Sequence, residues 1–349
     1  MKTLVKMSTP FILVHPGDMF ARGYYRIHQP IGMATKLGYI SSKVSASFLS
    51  NEELKALNPD VVIFHQSHFD NQIMAIFRYR KVLPNAFFVY EIDDLIVNIP
   101  DWNPNKSGFQ SDIEHRLRSI FKNGVDRVVC STQYLANSLR NYFKLGSVKV
   151  IPNYLMKDVV HTIKQIQEFT PKPKSDKLRI GWAGGATHKH DLTQLTEVIN
   201  MTKDKYQWVF FGFLPDGVDK DNIEFHPIVN FDQYFPKLVY LNLDIAVAPL
   251  EINEFNKCKS NLKLLEFGSC HYPVVATNIE PYKELPCIRV DNTVESWLDG
   301  LEKLASDPDI RLNLAEELHS AVLKDYILED HLGDITRKWA DSDKVCFRK

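Results

Sequence analysis

The stretch EFNKCKSNLKLLEFGSCHYPVVAT, Glu254 to Thr277, joins a polar, basic loop to a helix and then to a buried strand. Lys257, Lys259 and Lys263 cluster beside Ser260 and Asn261 where the helix should begin. A helix N-terminus presents backbone N–H groups without intrahelical partners and carries partial positive charge, so it holds a phosphate readily. Lysines add point charge. Leu262, Leu264, Leu265 and Phe267 predict a mostly buried helix, Gly268 to His271 break it, and Pro273 to Ala276 reads as a short interior strand. Glu266 is then an acid in an apolar segment beside the loop, suited to accept hydrogen bonds from a sugar hydroxyl. The same residues also fit an ordinary helix–strand unit whose Glu266 and lysines face solvent.

Outward from this stretch, strands and helices alternate as in parallel-sheet α/β domains. Strands are expected at Phe11–His15, Val61–Gln66, Phe87–Glu91, Arg127–Ser131 and Lys149–Ile151, with helices at Tyr25–Leu37, Ile73–Val82, Ser111–Lys122 and Thr132–Phe143 between them. The segment Phe169–Asp176, FTPKPKSD, is rich in proline and charge and reads as a linker. A second cycle follows. It has strands at Leu178–Ala183, Gln207–Gly212, Ile223–His226 and Ile245–Pro249, a helix from Asp191, another near Phe231–Leu241, and a helical tail from about Asp307.

A chain of 349 residues exceeds what one core usually supports. Apolar content of 44% with 24% charged residues is ordinary globular composition. No apolar run approaches the roughly 20 residues that span a bilayer, and Phe11–Val14 reads as a strand rather than a signal core. Five cysteines, Cys130, Cys258, Cys270, Cys287 and Cys346, are odd in number and lack CxxC spacing, which indicates neither a zinc site nor a disulfide framework. A reducing, cytoplasmic setting, including the inner face of a membrane, fits best. The net charge of −1 conceals an asymmetry: up to Thr170 there are 20 Lys and Arg against 14 Asp and Glu. A basic first half suits an anionic acceptor such as a lipid phosphate, a membrane surface or a nucleic acid, and it equally fits a solvated surface.

Three more loops leave strands at their C-terminal ends, where open α/β sheets place ligands. Gly184 and Gly185 allow close backbone approach, and His188, Lys189 and His190 supply polar partners ahead of a helix that Asp191 can cap. Asp93 and Asp94 follow the apolar strand that ends at Glu91 and suit a base, a hydroxyl anchor, half of a metal site or a simple cap. Gly17 and Gly23 with Arg22 and Arg26 suggest a mobile loop that reaches a ligand, while Tyr24 and Tyr25 also suit packing of the next helix.

The order of these sites resembles the GT-B glycosyltransferases, particularly the retaining, nucleotide-sugar-dependent group 1 or family 4-like enzymes of bacterial surface glycan synthesis. The resemblance rests on the glycine loop with Tyr25-Arg26 and Pro30, on Glu91-Ile-Asp-Asp94, Ser131-Thr132 with Leu135, and Ile151-Pro152-Asn153. It continues through Gly181-Trp182-Ala183-Gly184 with His188 and Asp191, Phe255-Asn256, Lys259-Ser260-Asn261 and Leu265-Glu266, and it covers nearly the whole chain. It implies two Rossmann-like parallel-sheet domains facing a central cleft. Residues 1–170 would bind acceptor, 177–325 the nucleotide sugar, and 326–349 would form a helix returning to the first domain.

The resemblance also implies roles. Lys189 would contact the diphosphate, Lys259, Ser260 and Asn261 the phosphates and sugar, and Glu266 the ribose hydroxyls. Gly17 would close over the diphosphate, with Arg26, Gly184, Gly185 and His188 also on the donor. Two departures stand out. Relatives often carry a second glutamate eight positions before Glu266, where this chain has Cys258, leaving Glu254 and Asn256 as candidate substitutes. Relatives often have a histidine where this chain has Asp93.

The expected chemistry is electrostatic. Lys189, Lys259 and backbone amides would stabilise the diphosphate leaving group without a metal or other cofactor, and Asp93 would stabilise the oxocarbenium-like centre or orient the acceptor hydroxyl. The acceptor is expected to be a saccharide or lipid-linked glycan, with peripheral contact between the basic domain and a membrane or polyanion. A modified nucleic-acid base is a lesser alternative. A sugar-nucleotide 2-epimerase and a non-catalytic nucleotide-sugar-binding protein are the readings from other classes.

Overall fold

The computed structural model describes residues 9–18, 21–109, 111–170 and 176–340. The first sheet contains β1 (Phe11–His15), β2 (Ser41–Val44), β3 (Val61–His65), β4 (Phe87–Ile92), β5 (Arg127–Cys130) and β6 (Val148–Val150), all parallel, in the order β2-β1-β3-β4-β5-β6. The second contains β7 (Arg179–Ala183), β8 (Gln207–Phe211), β9 (Ile223–His226), β10 (Ile245–Ala248), β11 (Val274–Thr277) and β12 (Ile288–Val290), also parallel, in the order β12-β11-β10-β7-β8-β9. Uninterrupted apolar runs such as Val61–Phe64 and Phe87–Tyr90 are buried on both faces, as a sheet covered by helices requires. This is the GT-B architecture, two doubly wound parallel sheets in one chain.

In each sheet the strand order reverses at one point, and that point opens a crevice at the strands' C-terminal ends. In the first sheet it lies between β1 and β3, so the exits at Gly17 and Gln66 flank it. The second reverses between β7 and β10, flanked by Gly184 and the loop after Ala248.

The chain crosses between the lobes twice. The helix Lys157–Phe169 packs Val159, Val160, Ile163 and Ile166 against the core of the second sheet. The helix Leu328–Trp339 returns, seating Leu328, Leu332, Ile335 and Trp339 against Ile12, Ile27, Ile31 and Ala34 of the first lobe. Leu155 and Ile327 form a parallel bridge where the two crossings meet. The expected linker lies partly outside the described residues, as does the end of the expected C-terminal tail. Among the described residues no helix is long and apolar enough to cross a membrane.

Candidate active site

The glycine loop begins at Gly17, whose N–H donates to His65 Nδ1 at 3.2 Å. A Cβ at Gly17 would lie 2.6 Å from the His65 carbonyl oxygen, so the loop can cross the end of β3 only with glycine there. Asp18 then accepts from Arg22 Nε at 2.6 Å and from the Gly23 amide at 3.0 Å.

Arg26, expected to contact the donor, does not reach the cleft. Its guanidinium is buried and donates to Glu91 Oε1 through Nε at 2.9 Å and through Nη2, while Nη1 donates to the Ile151 carbonyl at 2.6 Å and Asn153 Oδ1 at 3.0 Å. It clamps the exit of β4 to that of β6.

Asp93 does face the cleft. Gln66 Nε2 donates to its Oδ1, His65 Nε2 lies 3.8 Å from the same oxygen, and Ser131 Oγ donates to its carbonyl at 3.0 Å. Burial works against its charge, but His65, Arg22 and Arg26 outweigh burial and hold the carboxyl below the usual aspartate range. The adjacent Asp94 is pushed the other way by burial and by Asp93, against the pull of Lys259, Arg22 and His188. Neighbouring carboxylates whose environments push them apart in this way are suited to different tasks, the more acidic one to carrying charge. The electrostatic partners of Asp94 include two residues of the second lobe, which brings the two sets of loops to one site.

On that lobe, His188 is the residue of the His-Lys-His run that turns inward. Its Nδ1 donates to Asp191 Oδ2 at 2.8 Å, and Asp191 Oδ1 accepts from the Glu251 amide at 2.9 Å and Asn256 Nδ2 at 2.8 Å. Asp191, expected as a helix cap, instead orients an imidazole. Burial, reinforced by Lys259 and Lys263, lowers the His188 pKa despite Asp191. Lys189, expected at the diphosphate, is about half exposed and paired to Asp216 at 2.5 Å on the surface. His190 stacks on Trp102 of the first lobe with ring centroids 4.5 Å apart, and Trp102 Nε1 donates to Glu251 Oε2 at 3.0 Å. Gly184 and Gly185 border this loop. Gly212, at φ +94°, runs so close to the Gly184 carbonyl that a Cβ would sit 2.2 Å from its oxygen, which ties the two strand exits together.

The lysines after β10 do not converge on one anion. Lys257 pairs with Glu254 at 2.6 Å and Lys263 with Glu266 at 3.0 Å. Lys259 stands over the Phe255 ring at 4.7 Å, within electrostatic reach of Asp94 and His188. Ser260 Oγ accepts from Asn153 Nδ2 at 2.9 Å, and Asn261 lies at the start of the helix Leu262–Ser269 without capping it through its side chain.

Phe255 and Cys258 are buried in the hydrophobic core of the first lobe. The Thr132 hydroxyl donates to the Cys258 carbonyl at 3.0 Å, and the thiol lies 3.6 Å from Ser138 Oγ. The residue standing where relatives often carry a carboxylate is thus part of the lobe-to-lobe packing. Burial pushes its thiol up to about 12. Asn256 is held by Asp191 and the Glu251 carbonyl, and Glu254 sits at the rim, accepting from Tyr134 Oη at 2.9 Å.

Glu266 is buried and fully engaged. Oε1 accepts from Tyr25 Oη at 3.1 Å, and Oε2 accepts from Tyr234 Oη at 2.8 Å and Lys263 Nζ at 3.0 Å. Tyr24 and Tyr25, beside the glycine loop, pack on Phe231 of the second lobe.

His65, Gln66 and His68 are not among the expected site residues. Their signal was present in a polar His-Gln-Ser-His run directly after the apolar strand Val61–Phe64.

Residues 10–155 match Glycosyltransferase Family 4. A Bacillus subtilis (strain 168) protein named for teichuronic acid biosynthesis, the glycosyltransferase TuaH, is 25% identical over 210 residues, covering 55% of this chain and 52% of TuaH. The chain thus spans about half the length of that curated relative. Among solved structures, sucrose-phosphate synthase from Thermosynechococcus elongatus superposes with a TM-score of 0.67 at 12% identity, covering 95% of this chain and 98% of that one. Anabaena HepE, solved with UDP-glucose, gives 0.61 at 10% identity, with 94% and 99% covered. The first lobe of this protein is thus similar to glycosyltransferase family 4 over residues 10–155, and the whole chain carries the GT-B fold.

Proposed function

We propose that the protein is a glycosyltransferase that moves a sugar from a nucleotide-diphosphate donor to a hydroxyl of a saccharide or glycolipid, with retention. The observation that carries this reading is the meeting of Asp94, which adjoins Asp93, with Lys259 and His188 between the switch points of the two sheets. One wall offers a charged carboxylate and the other offers positive and hydrogen-bonding groups, as separation of a sugar from a diphosphate needs.

In this reading the second lobe holds the donor. Lys259 and the loop at Gly184 and Gly185 receive the diphosphate. Asp191 fixes His188 Nδ1 as a donor, so Nε2 takes up a proton when the diphosphate brings negative charge. Glu266 serves the ribose by exchanging a tyrosine hydroxyl for a ribose hydroxyl. The Lys189 amine, paired at the rim, contributes little. Asp93, kept ionised, stabilises positive charge at the reacting carbon. The first lobe holds the acceptor, and its positive surplus suits an anionic carrier or surface nearby. UDP-sugars lead as donors because HepE was solved with UDP-glucose.

The test is incubation with UDP-glucose, UDP-galactose, UDP-N-acetylglucosamine, GDP-mannose and ADP-glucose, following free nucleotide with and without acceptor. Acceptor-dependent release supports transfer. An altered sugar with no nucleotide released would mean epimerisation instead, and donor binding without turnover would mean a binding protein.

A further inference from the structure

Gln66 and His68 follow β3 at the crevice of the first sheet. Gln66 has φ +46°, a left-handed conformation that long L side chains seldom adopt, and it turns the chain at the mouth of this crevice. Its side chain has two ends. The amide nitrogen donates to Asp93 Oδ1, and an oxygen in that place would face a carboxylate, so the assignment of the two atoms is fixed. The remaining Oε1 is buried without a hydrogen-bond partner.

His68 completes the pair. Its Nδ1 donates to the Gln66 carbonyl at 2.7 Å, which leaves the lone pair on Nε2, and Nε2 is also buried without a partner. The ring stacks on Phe109 with centroids 4.7 Å apart and shares Arg22 as an electrostatic neighbour with Asp93. Gln66 is 3% exposed and His68 7%, so an unmet polar atom on either is costly.

Both unmet atoms are hydrogen-bond acceptors. They call for donors, and hydroxyl groups supply them. A phosphate oxygen is itself an acceptor and would meet lone pairs here. The nearby cations are committed, Arg22 to Asp18 at 2.6 Å and Arg116 to Asp70 and Asp112 at 2.5 and 2.6 Å.

We propose that Gln66 and His68 form a subsite for two hydroxyl groups of a saccharide acceptor, and that Gln66, by holding Asp93 Oδ1, registers the bound acceptor against the reacting carboxylate. This rests on the glycosyltransferase reading and narrows its acceptor to a sugar ring at the point of attack. Any anionic carrier of that sugar lies beyond these two side chains.

The experiment uses the full chain, the donor panel above and p-nitrophenyl glycosides of glucose, galactose, mannose, N-acetylglucosamine and glucuronic acid as acceptor probes. The wild type is expected to glycosylate at least one of them. His68→Phe keeps the stack on Phe109 and removes Nε2, and Gln66→Leu removes both ends of the amide. Each should raise the acceptor KM about tenfold, the scale of one lost hydrogen bond, while the donor KM moves less than about twofold. His68→Gln, which restores an acceptor atom, should recover part of the loss. Gln66→Leu should also lower kcat, which His68→Phe should not do to the same extent. An unchanged acceptor KM in His68→Phe, or a donor KM rising as far as the acceptor KM, overturns the subsite. Nucleotide release by the wild type with no transfer to any glycoside overturns the saccharide subsite and leaves the glycosyltransferase reading standing. No release from any donor overturns the reading beneath it.

Discussion

Replacing Arg26 with methionine tests whether this arginine is a buried clamp or a ligand contact. Methionine keeps most of the stem volume and deletes a guanidinium that donates to Glu91, Ile151 and Asn153. Glu91 is fully buried, and its Oε2 already has no partner. Breaking one side of a buried pair strands the other charge, at about 3–5 kcal/mol. At about 2–4 °C per kcal/mol for a lobe of this size, the melting temperature should fall by about 6–20 °C at about pH 7.5.

The sign with pH follows from Glu91. Burial raises its pKa above the usual glutamate range even with Arg26 opposing it, and loss of Arg26 raises it further. A carboxyl whose folded pKa is raised is tolerated when protonated, and its penalty grows as pH climbs from the unfolded pKa to the folded one. The deficit of Arg26→Met relative to wild type should therefore shrink as the pH is lowered from about 7.5 toward about 5. The double variant Arg26→Met, Glu91→Gln should recover much of the loss, because no buried charge remains. The assay is thermal unfolding by circular dichroism across that pH range. A loss under about 1 kcal/mol, or one that stays constant with pH, would refute the clamp and restore Arg26 as a ligand contact.

Substitutions at four other positions separate the competing placements in the cleft. Lys259→Ala should raise the donor KM at least about tenfold, whereas Lys189→Ala should change it less than about threefold, since its amine is in a surface pair; steady-state kinetics that reverse this order would return the diphosphate to Lys189. Asp93→Asn should lower kcat at least about tenfold with the donor KM within about threefold of wild type, and an unchanged kcat would remove Asp93 from the chemistry. Cys258→Asp, which places an acid where relatives often carry one, should destabilise the protein by several kcal/mol because it buries a carboxylate in the first lobe's core; Cys258→Ala should cost about 1–2 kcal/mol. A Cys258→Asp variant that melts with the wild type would mean that the position is not a packing site.

Both sheets were legible in the sequence wherever a strand is interior, because burial on two faces writes an apolar run. Two of the four edge strands were not: β2 is Ser41-Ser-Lys-Val44, mostly exposed, and β12 is three residues long, so neither carries such a run, whereas the edges β6 and β9 were expected at Lys149–Ile151 and Ile223–His226. The helix Lys157–Phe169 was also passed over, although its apolar residues at 159, 160, 163 and 166 repeat with helical spacing. The candidate loops were legible for a topological reason, since ligands sit where strands end. Side-chain direction was not legible. His188 and Lys189 are adjacent, and one residue of helical rotation, about 100°, decides which faces the cleft. The fate of Cys258 was furthest out of reach, because its burial is set by how two lobes dock and no local periodicity encodes that.

That docking gives the cleft its logic. The lobes are joined by Tyr25 to Glu266, Asn153 to Ser260, Trp102 to Glu251, and the Thr132 hydroxyl to the Cys258 carbonyl. Two of these four are reinforced by core packing, the first through Tyr25 in the second lobe's core and the last through Phe255 and Cys258 in the first lobe's. The Phe255–Cys258 contact is the natural pivot, since opening it would expose apolar surface as well as break a hydrogen bond, and, unlike Tyr25, it is not bonded to Glu266, the residue a donor would use. The bonds at Glu266 and Ser260 join polar groups, and under the proposed function they fall on residues a donor would use. A ribose or phosphate group arriving there replaces one hydrogen bond with another, so neither carboxylate nor hydroxyl is left buried and unmet during the exchange. The closing contacts and the donor contacts would then be alternatives at the same atoms, and donor binding would be coupled to movement about the Phe255–Cys258 pivot.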